Sequence, residues 1–218
     1  MPRIARVVVP NYPHHVTQRG VRRMDVFFSD EDRTTYLALL AEQGGRYGIQ
    51  FLAWCLMTNH VHLIVVPFHE HSLSKGIGEA HKRYTRSINF CEGTRGYLFQ
   101  GRFFSCPLEV DRLLFAVRYV LRNPVRAGLV AEPWDYQWSS ARWAMGLMEK
   151  DPLVHSLGPL AEIDDWKGFL SSQPDGIEEL RLHTRTGRPL GGESFVNLAE
   201  TLTGRFLRKR KPGPKHRR

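Results

Sequence analysis

Cysteine is scarce in this chain. Only Cys55, Cys91 and Cys106 occur, with no Cys-x-x-Cys spacing, which argues against a disulfide framework or cysteine-ligated zinc and points to a reducing compartment. No apolar run comes near the ~20 residues of a membrane span, so no membrane partner is expected. The opening Met1-Pro2-Arg3-Ile4-Ala5-Arg6 lacks the apolar stretch of a signal peptide, and a cytoplasmic protein is expected. Nowhere does a Gly-rich loop form a phosphate-binding motif. Acid is missing from the C-terminal stretch: Arg205 to Arg218 holds eight Lys or Arg and neither Asp nor Glu.

What is present suffices for a sizeable core, with 42% hydrophobic and 11% aromatic residues in 218. The formal charge of +9 is uneven. Without the eight tail cations, the 31 basic residues become 23 against 22 acids, leaving a body of net +1. A merely solvated tail satisfies that pattern. The sharper expectation is a nucleic-acid partner, because Lys and Arg gain by displacing counterions from phosphates.

Along the chain, Val7-Val8-Val9 and Val16-Thr17-Gln18-Arg19 read as short strands and Gly20 as a turn. Asp30-Glu31-Asp32 opens a helix with acids in its first turn, and Gly44-Gly45 loosens its end. Ile49 to Met57 and His60 to Val66 read as a hairpin about Thr58-Asn59. A second helix runs from about Ser72 to Asn89, Phe103 to Leu108 is a short strand, and a third helix runs from Asp111 to Asn123-Pro124. The first six elements match a ferredoxin-like βαββαβ core of α+β class, an antiparallel sheet with helices on one face. Three segments are expected: a catalytic domain at 1–145, a C-terminal helical extension at 146–204, and a basic disordered tail at 205–218.

His60 and His62 stand two apart on a strand and therefore project to the same side. Two neighbouring neutral imidazoles offer two positions to a divalent first-row metal, although strand histidines are often only half-buried polar residues. His69-Glu70-His71 has the same spacing but follows Pro67 and belongs to a loop. On the third helix, Tyr119 and Asn123 are spaced i and i+4, on one face. Each has a structural explanation of its own, the phenol as an amphipathic core residue and the amide as a helix terminator before proline. The chemical reading is more specific. A phenol, with a pKa near about 10, is a weak nucleophile at neutral pH. It can attack phosphorus when a metal neutralises an in-line phosphate. Asn123 can add an oxygen ligand, a set that suits Mg²⁺ or Mn²⁺.

The motifs His14-His15-Val16-Thr17-Gln18-Arg19-Gly20, Leu56-Met57-Thr58-Asn59-His60-Val61-His62-Leu63-Ile64 and Arg118-Tyr119-Val120-Leu121-Arg122-Asn123-Pro124-Val125-Arg126-Ala127-Gly128-Leu129-Val130, with Trp138-Ser139-Ser140 beyond them, resemble those of the HUH single-tyrosine transposases. In detail the chain is similar to the REP-associated tyrosine transposase group, over about Pro13 to Ala144. The resemblance implies a ferredoxin-like fold, His60 and His62 as metal ligands, and Tyr119 as nucleophile. Asn123 falls where the wider family often places a glutamine ligand, and Thr58 where many relatives carry proline. It further implies a metal-dependent single-stranded DNA endonuclease and strand transferase that works through a 5′-phosphotyrosine link on hairpin-forming repeats. Such a protein is expected to associate with the nucleoid. Candidate DNA contacts are Arg19, Arg22 and Arg23, then Lys82, Arg83 and Arg86 on the second helix, Arg102, Arg126, and Lys209, Arg210 and Lys211 in the tail. The alternative is a DNA-binding repressor that keeps the fold without cutting. Nothing in the sequence chooses between monomer and homodimer.

Overall fold

Ser29 starts the first helix. Its hydroxyl accepts from the Asp32 amide while the Asp32 carboxylate accepts from the Ser29 amide, a reciprocal cap. Helix α1 (Asp30–Tyr47) then runs straight through Gly44-Gly45, which was expected to loosen it, and ends at Gly48, whose φ of 65° completes a left-handed cap. Gly44 is needed for packing: a Cβ there would lie 2.5 Å from Phe51 Cε2. This computed structural model describes residues 5–208.

Strands β1 (His14–Arg19), β2 (Ile49–Met57), β3 (His60–Pro67) and β4 (Phe104–Pro107) form one sheet in the order β2-β3-β1-β4, every pair antiparallel. With α1 between β1 and β2 and helix α2 (Ser72–Cys91) between β3 and β4, this is the expected ferredoxin-like arrangement. Val7–Val9 is not a strand. Val7 and Val9 bury against Ala199 and Leu207, an apolar contact that needs no ladder.

Alternation sorts the side chains. Val16, Trp54, Leu56, Val61, Leu63 and Val65 face α1 and α2. Cys55, Met57, Ile64 and Cys106 face the other way, against helix α3 (Leu113–Leu121). The sheet is thus covered on both faces rather than one. Behind α3 come α4 (Asn123–Arg126), α5 (Ala141–Ala144), α6 (Trp166–Ser171), α7 (Ile177–Thr186) and α8 (Glu193–Thr203). Pro124 sits in the first turn of α4, where its missing N–H costs nothing.

The chain after α4 protects both sheet edges. Leu56 N donates to Trp138 O at 2.8 Å and Ser140 N to Trp54 O at 3.0 Å along β2, while Leu190 N donates to Pro107 O at 2.9 Å beside β4. Residues 146–204 therefore share the core of the sheet: Leu160, Leu170 and Leu180 pack with α3 in one cluster. Asp151 fastens the entry to this stretch. Its buried carboxylate accepts from Trp54 Nε1 at 2.9 and 3.1 Å and from the Leu153 and Val154 amides, both at 2.8 Å. Asp151→Ala strands three donors, and a loss of about 3 kcal/mol is expected, readable as a lower urea midpoint with an unchanged slope.

Residues 205–208, expected within the tail, are also tied down. Arg205 donates to the Ala5 and Arg6 carbonyls, and Arg208 pairs with Glu200 at 2.8 Å. Lys209, Arg210 and Lys211 lie outside the described residues. Among the described residues no helix is long and apolar enough to cross a membrane.

Candidate active site

Cross-strand register assembles the site. In β1–β3, Thr17 pairs with His62, Arg19 with His60 and His15 with Ile64. His15, Thr17, His60 and His62 therefore share the face that α3 covers. His15 lies diagonal to His62, and the two rings stack at 5.2 Å with His15 Nε2 2.9 Å from His62 Nδ1.

Each ring of the His60–His62 pair is oriented through its Nδ1. His60 Nδ1 lies 2.6 Å from Asn59 Oδ1, and Asn59 Nδ2 in turn donates to the Arg23 carbonyl. An amide oxygen can only accept, so His60 carries its proton on Nδ1 and Nε2 keeps its lone pair. His62 Nδ1 faces His15 Nε2, and His15 Nδ1 meets Thr184 Oγ1 at 2.7 Å. A His62 that presents an Nε2 lone pair donates from Nδ1 to His15, which donates in turn to Thr184. Partners of this kind fix ring orientation at metal sites. Burial holds the imidazoles neutral. His60 is pushed down to about 4, mainly by desolvation and secondarily by Arg19 and Arg126. Burial, then His15, His60 and the same arginines, lowers His62 well below the usual range.

Tyr119 comes from α3 with its ring buried. It stands edge-on to His62 at 5.5 Å and to His15 at 5.8 Å between ring centroids. The Arg126 guanidinium lies over its face, 4.5 Å from the centroid, and Arg181 Nε donates to its hydroxyl at 3.4 Å. A cavity of about 420 Å³ opens on His60, His62 and Tyr119 together, with Arg19, Arg126, Arg181 and Arg185 also on its wall. One phenol, three imidazoles (His15 is the third) and four guanidinium groups on one cavity suit a phosphodiester.

Residues 8–123 match the family model of IS200-like transposases. The chain belongs to that family. Its fold resembles that of a solved REP-associated tyrosine transposase bound to a REP hairpin, at 15% identity over 72% of this chain and 92% of that one, with a TM-score of 0.54. A transposase-like protein from Deinococcus radiodurans aligns at 16% identity over 59% of this chain and 92% of its own, but a TM-score of 0.38 is too low to argue from. No curated protein sequence matches.

Within this family member, the sequence-predicted residues divide. His60, His62, Tyr119, Arg19 and Arg126 meet at the cavity. Asn123 does not join them. Its Nδ2 donates to the Tyr119 and Val120 carbonyls at 3.0 and 3.3 Å, and its Oδ1 accepts from Arg126. The amide closes the end of α3, which has carbonyls to satisfy, and holds Arg126 in place over the tyrosine. Among the described residues no three His, Cys, Asp or Glu gather as a metal set. Arg22 and Arg23 are exposed just after β1, both at positive φ. Lys82, Arg83 and Arg86 belong to α2, in the layer behind the sheet, where Lys82 pairs with Glu79 and Arg83 with Glu42. Arg102 lines a separate, small cleft with Arg6 and Thr186. His15, Arg181, Thr184 and Arg185 were not singled out from the sequence. His15 carried a signal in its alternation with Thr17, but the α7 residues carried none, since nothing local brings α7 to β1.

Proposed function

We propose that the protein is a metal-dependent, single-stranded DNA endonuclease and strand transferase that acts on hairpin-forming repeats, as a cytoplasmic, nucleoid-associated member of the REP-associated group. The observation that carries this is the placement of the Tyr119 ring against His62 on a cavity that the paired imidazoles also line. His60 and His62 fit a divalent cation, since both rings are neutral and each has its Nδ1 engaged elsewhere. Mg²⁺ or Mn²⁺ is the cation that these two rings would hold. When bound, it neutralises charge on the scissile phosphate.

The chain's own groups do the rest. Arg19, Arg126 and Arg185 hold the phosphate against the wall. The Tyr119 oxygen attacks phosphorus, the Tyr119 O–P bond forms, and the P–O3′ bond breaks. The departing 3′ oxygen gains a proton and the phenol loses one, both by way of solvent. The resulting 5′-phosphotyrosine is reversed when a 3′-hydroxyl attacks it, and no external energy source is required.

A hairpin-binding protein that no longer cuts is the competing reading, and the turned-away Asn123 amide favours it. Incubation with Mn²⁺ and a single-stranded DNA hairpin bearing unpaired flanks separates the two. A covalent protein–DNA species on a denaturing gel, absent when EDTA is added, is the expected result. Tight hairpin binding with no covalent species would leave the repressor.

A further inference from the structure

Helix α7 lies well beyond residue 123, where the family match ends. One face of it nevertheless belongs to the site: Arg181, Thr184 and Arg185, spaced three and four residues apart, line the cavity together. Leu180 packs into the core shared with α3, which fixes the helix at this position. Thr184 meets His15, which meets His62, and its hydroxyl also contacts Cys106 Sγ at 3.3 Å. Arg181 splits its guanidinium: Nη1 pairs with Glu178 and Nε reaches the Tyr119 hydroxyl.

We propose that Arg181 is a catalytic residue of DNA cleavage and rejoining, holding the Tyr119 oxygen that attacks and later departs; this rests on the function argued above. In the forward direction a phenol must give up its proton to become a competent nucleophile, and among the described residues no carboxylate lines this cavity to take it. The proton passes to solvent, and a fixed guanidinium beside the oxygen stabilises the charge that remains. As the Tyr119 O–P bond forms, that charge moves to O3′, which leaves and takes up a proton. In reverse, an incoming 3′-hydroxyl loses its proton to solvent and forms the new P–O bond. The Tyr119 O–P bond breaks, and the electron pair returns to the phenolic oxygen, again beside Arg181. A donor that meets the same oxygen in both directions assists both by the same interaction. Arg126, over the ring face, holds the ring rather than the oxygen.

The test compares wild type, Arg181→Ala and Arg181→Lys in the full chain, using single-turnover adduct formation with Mn²⁺ and the hairpin substrate. Arg181 is half-exposed, so folded variants are expected, and circular dichroism checks this. The alanine variant is expected to form adduct about 100-fold more slowly, the scale for loss of one charge-stabilising donor, with hairpin affinity within a few-fold. The lysine variant should fall between. Guanidinium chloride, well below denaturing concentrations, should accelerate the alanine variant where equal sodium chloride does not. A merely structural arginine gives no such rescue. Rejoining, followed by adding a free 3′-hydroxyl strand to isolated adduct, should slow in parallel. Wild-type rates in the alanine variant, or a slow variant indifferent to guanidinium, overturn the Arg181 assignment while cleavage itself stands. Absence of adduct in the wild type overturns the proposed function instead.

Discussion

Tyr119→Phe is expected to abolish the covalent protein–DNA species while leaving hairpin binding intact. The substitution removes only the phenolic oxygen. The ring contacts with His15, His62 and Arg126 persist, and the one hydrogen bond lost, from Arg181 at 3.4 Å, is worth about 1 kcal/mol or less. Folding and binding should therefore be nearly unchanged, and the loss falls on chemistry. No other buried tyrosine is placed to substitute. The Tyr36 and Tyr84 hydroxyls lie in the α1–α2 layer, bonded to His81 Nε2 and the Val26 carbonyl, and that of Tyr136 donates to the Leu56 carbonyl. None of the three reaches the cavity. Adduct formation by the phenylalanine variant would remove Tyr119 as nucleophile. Weakened binding with no change in adduct yield per bound molecule would reduce it to a packing residue.

Sequence reasoning succeeded where the signal is local. His60 and His62 share a face because strand alternation is geometric, and Tyr119 falls on the inner side of a helix whose apolar positions are plain. The ferredoxin-like antiparallel sheet followed from six elements in a familiar succession, although helices cover both of its faces and not the expected one. What stayed hidden depends on contacts between distant segments. That His15 backs His62 requires the β1–β3 register, which no window of sequence displays. That α7 supplies Arg181 and Thr184 requires the path of a Pro- and Gly-interrupted stretch around α3. Asn123 shows the opposite hazard: an i, i+4 spacing correctly put it beneath Tyr119, yet the unsatisfied carbonyls at the end of α3 claim its amide. The α2 cations were placed beside the site by their charge, whereas amphipathic packing puts that helix behind the sheet.

Acid should unfold the protein in a window set by buried histidines other than His60 and His62. His14, His15 and His81 are all buried, and desolvation pushes them down to about 4, 3 and 3. Their hydrogen bonds point the same way. The single N–H of neutral His14, on Nδ1, donates to the Tyr12 carbonyl, and its Nε2 accepts from the Val9 amide, so protonation there sets two N–H groups against each other. The unfolded chain takes up protons near pH 6.5, and the folded chain resists until about pH 4 or below. Between those values the unfolded state holds more protons, so stability rises with pH; it is complete above pH 6.5 and lost as pH falls. At pH 5 each of the three costs about 2 kcal/mol, a combined loss comparable with the ~5–15 kcal/mol of a typical domain. Urea midpoints should thus fall steeply from pH 7 to pH 5. His81→Gln, which can keep a hydrogen bond to Tyr36, should cost about 1 kcal/mol at pH 7 and recover roughly 2 kcal/mol relative to wild type at pH 5. A midpoint that stays flat over this range would mean that these imidazoles titrate as they do in the unfolded chain, and with them would go the argument that burial holds this set of rings neutral.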